Sequence, residues 1–133
     1  MAEFIEVTAG AKTYRIGRVG FNVRLDAAEQ IRQKRRDEFS RAVNTFKDAG
    51  NEEQRMLVAL ALDKMVRGVS VTTVEVNDWL RSPEGEAFTL LCGMRKNLPA
   101  ATPDDVMALL TDISAEDYVL VDDFLAKSLF GTK

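Results

Sequence analysis

The sequence predicts a mainly α fold: an N-terminal β-hairpin followed by a bundle of about five or six helices. Three observations carry this expectation. Helix starts of one grammar recur at Ser82, Thr102 and Ser114, each a hydroxyl cap followed by an acidic first turn. Beyond residue 26 the apolar residues return mostly at three- and four-residue spacing. Before it, short alternating stretches are broken by glycine. The chain of 133 residues fits one domain, 1–133, with 1–25 as the hairpin segment and 26–133 as the bundle.

In chain order, Glu3–Thr8 (EFIEVT) and Lys12–Ile16 (KTYRI) read as paired strands joined at Ala9-Gly10-Ala11. In the second strand Tyr14 and Ile16 share one side, Thr13 and Arg15 the other. Val19–Leu25 adds a short third strand through Val19, Phe21 and Val23, which Gly17 and Gly20 weaken. Asp26, with Glu29 three residues on, is placed to cap a helix running to about Lys47 and stopping at Gly50. Its core stripe is Phe39, Ala42, Val43 and Phe46, after Ala28 and Ile31. Asn51 caps the next helix. Met56–Val66 is apolar nearly all round, which places that helix at the centre of the domain, with Gly68 as its end.

The β-branched residues of Val69–Glu75 suit a strand, but the preferred reading is a loop from Val69 to about Thr72 and then a helix, capped at Thr73, to about Arg81 bearing Val76, Trp79 and Leu80. Ser82-Pro83-Glu84 then opens a helix that Asn97-Leu98-Pro99 closes. Thr102-Pro103-Asp104-Asp105 repeats the start, with Val106, Leu109 and Leu110 on the buried side. Ser114 opens the last helix, where Tyr118, Val121, Leu125 and Leu129 form the stripe and Gly131 the stop. The expected core is Phe4, Tyr14, Ile16, Phe39, Val43, Phe46, Leu57, Leu60, Leu62, Trp79, Phe88, Leu91, Val106, Leu110, Val121 and Leu125.

Composition narrows the chemistry. The chain has no histidine, which removes histidine-based triads and the commonest metal ligand. Cys92 is the sole cysteine, so no intrachain disulfide forms, and its apolar context reads as a small buried hydrophobe. The carboxylate pairs Asp104/Asp105 and Glu116/Asp117 are first-turn partners of helix dipoles, and Asp122/Asp123 a solvated face. No phosphate-binding glycine loop and no calcium-loop spacing occurs. The expectation is a non-enzymatic chain with no cofactor and no metal. Met1–Ala11 lacks a basic-then-apolar leader and no apolar run reaches membrane-spanning length, so the cytoplasm is the expected compartment.

Net charge is −3, yet residues 1–67 hold thirteen Lys/Arg against ten acids, and residues 68–133 five against eleven. Uneven surface charge is the plain reading; contacts between the two ends of neighbouring copies, a weak homo-oligomer, are the functional one. Arg32, Lys34, Arg35, Arg36 and Arg41 form one basic cluster. A solvated face is the plain reading of it, and a protein-binding surface the candidate site. A nucleic-acid arm is disfavoured by Asp37 and Glu38, by the lack of interleaved aromatics and by the acidic total.

Two segments carry a resemblance. EFIEVTAGAKTYRI is a hairpin before a charged helix. WLRSPEGEAFTLLCGMRKNLPAATPDDVMALL is similar to a pattern of small residue, E-G, apolar helix, R-K-x-x-P, T-x-x-x-V and L-L. Together, about a third of the chain resembles a family of small phage and prophage tail assembly chaperones. The resemblance implies a non-enzymatic protein of the host cytoplasm that binds the tape measure protein, coats its long hydrophobic helices and recruits tail tube protein. Such chaperones leave the finished tail, and a longer frameshifted product is common among them; the ending after Phe130-Gly131 matches the short form. No catalytic or ligand residue carries over. Two other readings stand beside it: a structural head–tail connector or other virion ring component, and a DNA-binding regulator using Arg32–Arg41.

Overall fold

An antiparallel hairpin opens the chain, β1 (Phe4–Ala9) against β2 (Lys12–Gly17), with Ile5 opposite Ile16 and Val7 opposite Tyr14. Gly10 turns it at φ +65°, a conformation that suits glycine. A computed structural model describes residues 3–47, 52–67 and 71–131. Within them follow α1 (Phe21–Lys47), α2 (Glu52–Arg67), α3 (Thr73–Arg81), α4 (Pro83–Arg95), α5 (Pro103–Asp112) and α6 (Ala115–Phe130). Among the described residues the fold is mainly helical, a hairpin followed by six helices, as the sequence predicts.

Local grammar explains most boundaries. Ser82 Oγ accepts from the Gly85 N–H at 3.1 Å, with Pro83 at the first helical position of α4. Ser114 Oγ accepts from the Asp117 N–H at 3.2 Å and so opens α6. Thr72, one residue before the expected position, caps α3 in a reciprocal box with Glu75. The expected stop at Gly50, cap at Asn51, end at Gly68 and the loop at 69–70 lie outside the described residues.

The third strand is not formed. Val19–Leu25 instead turns into α1, which begins at Phe21, so Asp26 lies inside the helix rather than at its cap. Val19, Val23, Ala27 and Ile31 are buried at four-residue intervals, the helical stripe that a strand reading of Val19, Phe21 and Val23 missed. Phe21, the residue whose burial only a strand needed, is exposed.

The centre of the fold is α4 and not α2. α4 touches the hairpin through β2 and also α1, α3, α5 and α6, and it buries Gly85, Thr89, Leu90, Leu91, Gly93 and Met94. The Thr89 hydroxyl donates to the Gly85 carbonyl at 2.8 Å, which removes the penalty of its burial. β1 rests on α5 and α6. α2 has α1 as its chief neighbour and leaves Met56, Leu57 and Leu60 exposed by 67%, 60% and 60%. An apolar helix is buried only on the sides for which the fold supplies neighbours, and none covers these three side chains.

The core expected from sequence is corrected in the same way. Ile16, Leu91, Val106, Val121 and Leu125 are buried. Tyr14, Phe39, Trp79, Phe88 and Leu110 are half-buried, and the Trp79 and Phe88 rings pack at 5.4 Å and 60°. Phe4 is 41% exposed. Its strand parity groups it with Glu6 and Thr8, and it lies under the Arg15 guanidinium at 4.9 Å. Leu57 and Leu60 are on the surface. Val43, Phe46 and Leu62 lie outside the residues whose side chains are described. Residues absent from the expected core, among them Val7, Ala9, Val76, Leu80 and Phe124, fill it alongside Leu90, Met94 and Leu109.

Candidate functional site

The last four helices enclose an open cleft of about 570 Å³. Its floor is built by helical periodicity. Val121, Leu125 and Leu129 come from α6, Leu80 and Leu90 from α3 and α4, and Leu110 and Ile113 from the end of α5. Ala87 and Ala126 face the space with single methyl groups, which leaves room between the helices. A concavity of this size with an apolar floor and few polar groups matches the general form of a recognition pocket, about 300–1,000 Å³.

Polar groups line its mouth. Tyr118 of α6 donates its hydroxyl to Glu86 Oε2 of α4 at 3.2 Å, tying the two helices across the opening. Burial raises the Tyr118 phenol above its ordinary value, and the Glu86 carboxylate beside it adds to the rise, so the hydroxyl keeps its proton. At the other end, the Arg81 guanidinium lies 4.5 Å from the Phe130 ring centroid, and Asp122 completes the charged rim.

The predicted basic cluster lies elsewhere, on α1. Lys34 pairs with Glu84 at 3.4 Å and Arg35 pairs with Glu75, fastening α1 to α4 and α3. Arg32 and Arg36 both reach Glu29, at 3.4 and 3.1 Å. Arg41 borders a polar hollow of about 290 Å³ that Lys34, Asp37 and Glu84 also line. The structure thus brings Lys34 and Arg41 to one hollow and engages Arg32, Lys34, Arg35 and Arg36 with carboxylates of the chain itself. All these pairs are solvent-exposed, and such pairs contribute at most about 1 kcal/mol each.

Cys92 is half-buried. Burial pushes its thiol up from 9.0, and Asp26 adds to the rise against Arg95 and Lys96, so the thiol is protonated near neutral pH. Among the described residues, no three His, Cys, Asp or Glu side chains gather where they could hold a metal ion. Nor is any described helix long and apolar enough to cross a membrane.

Sequence reasoning found the stripe of α6 but read it as closed core. The signal for an opening was present in small residues at Ala87 and Ala126 among large ones such as Leu110 and Leu129. No family model, curated protein or solved structure matches the chain.

Proposed function

We propose that the chain is a non-enzymatic phage tail assembly chaperone, which binds the tape measure protein and promotes tail tube assembly in the host cytoplasm. The single observation that carries this reading is the apolar cleft among α3–α6. Much of it comes from the segment in which the resemblance lies, since Pro83, Glu86, Ala87, Leu90 and Leu110 all line it. An amphipathic client helix offers apolar anchors at i, i+3, i+4 and i+7, and a groove with a leucine floor and a charged rim is suited to receive them. Arg81, Glu86 and Asp122 would add charged contacts to such a helix at the rim.

Calorimetric titration tests this with synthetic helices from the tape-measure-sized reading frame next to the gene for this chain. The wild-type chain binds at least one such helix. Ala126→Phe, which fills the cleft without disturbing its floor, weakens binding about tenfold or more, roughly 1.4 kcal/mol. Absence of binding by every segment of that protein overturns the proposal.

A second reading, a connector or other virion ring component, is favoured by the separation of charge along the chain, thirteen Lys/Arg against ten acids in 1–67 and five against eleven in 68–133. Mass spectrometry of purified particles separates the two. A chaperone is missing from the finished tail, whereas a connector is present at stoichiometric copy number.

A further inference from the structure

Given the α3–α6 cleft as a helix-binding groove, the reading proposed above, we infer that Arg81 selects the partner and that the bound helix presents a carboxylate to it. Two guanidiniums meet the Phe130 ring, and the fold uses them differently. Arg24 is half-buried, and besides stacking on the ring it donates to Asn77 Oδ1 and to the Leu129 carbonyl. Arg81 lies 4.5 Å from the same ring centroid, lines the cleft and is exposed. Its guanidinium makes no hydrogen bond and no ion pair among the described residues. Lys34, Arg35 and Lys127, by contrast, each meet a carboxylate of the chain.

The carboxylates of the rim leave Arg81 to a partner. Glu86 accepts the Tyr118 hydroxyl. Asp122 lies eight residues before Phe130 on α6, about 12 Å by helical rise. In water an unpaired guanidinium is satisfied by solvent, but a helix laid over the Phe130 end of the cleft displaces that water. Such a helix gains when it brings an acceptor and is penalised when it does not. A carboxylate meets the planar fork with two charge-assisted hydrogen bonds. The Phe130 ring holds the guanidinium in place beforehand, so less freedom is lost on binding. A cation at the same place on the partner is repelled, which adds discrimination.

The probe is a synthetic amphipathic helix of about 18 residues, roughly 27 Å long, with leucine at i, i+3, i+4 and i+7 and glutamine on its flanks. A panel replaces one flanking glutamine at a time with glutamate. Calorimetric titration of the wild-type chain finds at least one position where glutamate tightens binding about three- to tenfold over the glutamine parent. Lysine at that position weakens binding, and the glutamate gain shrinks as salt is added. Arg81→Met abolishes the gain, and Arg81→Glu turns the preference to the lysine peptide. Arg24 still holds Phe130 in these variants, and helical circular dichroism checks that they fold. If Arg81→Met loses that signal, Arg81→Gln takes its place.

Glutamate and glutamine peptides that bind the wild type alike at every position overturn the inference. So does a panel that does not bind at all, or a glutamate gain that survives the loss of the guanidinium. The client reading fails separately, when no segment of the tape-measure-sized reading frame binds.

Discussion

The guanidinium of Arg24, on α1, lies 5.1 Å from the ring centroid of Phe130, the last residue of α6. Its Nη1 also donates to Asn77 Oδ1 of α3 at 2.6 Å, and Nε to the Leu129 carbonyl at 3.5 Å. Arg81 covers Phe130 as well, at 4.5 Å. One side chain of α1 therefore holds the end of α6 against α3, and with it one end of the cleft.

Arg24→Ala removes the stacking and both hydrogen bonds. It is expected to lower stability by about 1–2 kcal/mol in urea denaturation, since each partner is only partly buried. Arg24→Lys keeps the charge but loses the planar fork, and falls between wild type and alanine. A variant as stable as wild type removes Arg24 from this role.

Gly85 sits where α4 crosses the end of α3. A Cβ there would collide with the Trp79 carbonyl oxygen and the Leu80 Cα, both of them backbone. In an open helix Gly→Ala gains about 1 kcal/mol. Here the collision wins, and Gly85→Ala is expected to lose about 2–4 kcal/mol as α3 and α4 are forced apart. Thermal unfolding reads the sign directly.

Asp105 accepts from the Thr102 N–H at 2.8 Å at the start of α5. That hydrogen bond holds its carboxyl below the ordinary 3.8. A depressed folded value contributes stability above the unfolded value, and the contribution is lost as pH falls through the folded one. Urea midpoints of the wild type therefore drop between about pH 5 and about pH 3 by more than those of Asp105→Asn. Equal drops mean that the cap does not depend on the charge.

Cys92 is expected to resist alkylation, because burial keeps it in the protonated thiol form. Iodoacetamide at about pH 7.5 modifies the native chain roughly tenfold or more slowly than the urea-unfolded chain. A native rate equal to the unfolded one places the thiol in solvent.

Short-range chemistry made much of this fold legible. The caps at Ser82 and Ser114, the paired strands before residue 18 and the stripe of α6 are each fixed by residues within a few positions of one another. The hydrogen bonds that satisfy a helix end are local. So is the parity that sends Tyr14 and Ile16 to one face and Thr13 and Arg15 to the other.

Three outcomes belonged to the tertiary structure. Val19, Phe21 and Val23 satisfy a strand period, while Val19, Val23, Ala27 and Ile31 satisfy a helical one, and only packing against the rest of the core selects the helix. Met56, Leu57 and Leu60 read as buried, because periodicity reports how apolar a face is and not whether anything covers it. The same limit hid the cleft: Val121, Leu125 and Leu129 mark the inner side of α6, but the space in front of them depends on the spacing of α4 and α5. A sequence by itself determines which faces seek cover, through local period and capping. Which of them find it is decided by contacts between residues far apart in the chain, such as Arg24 with Phe130, whose partners no local pattern names.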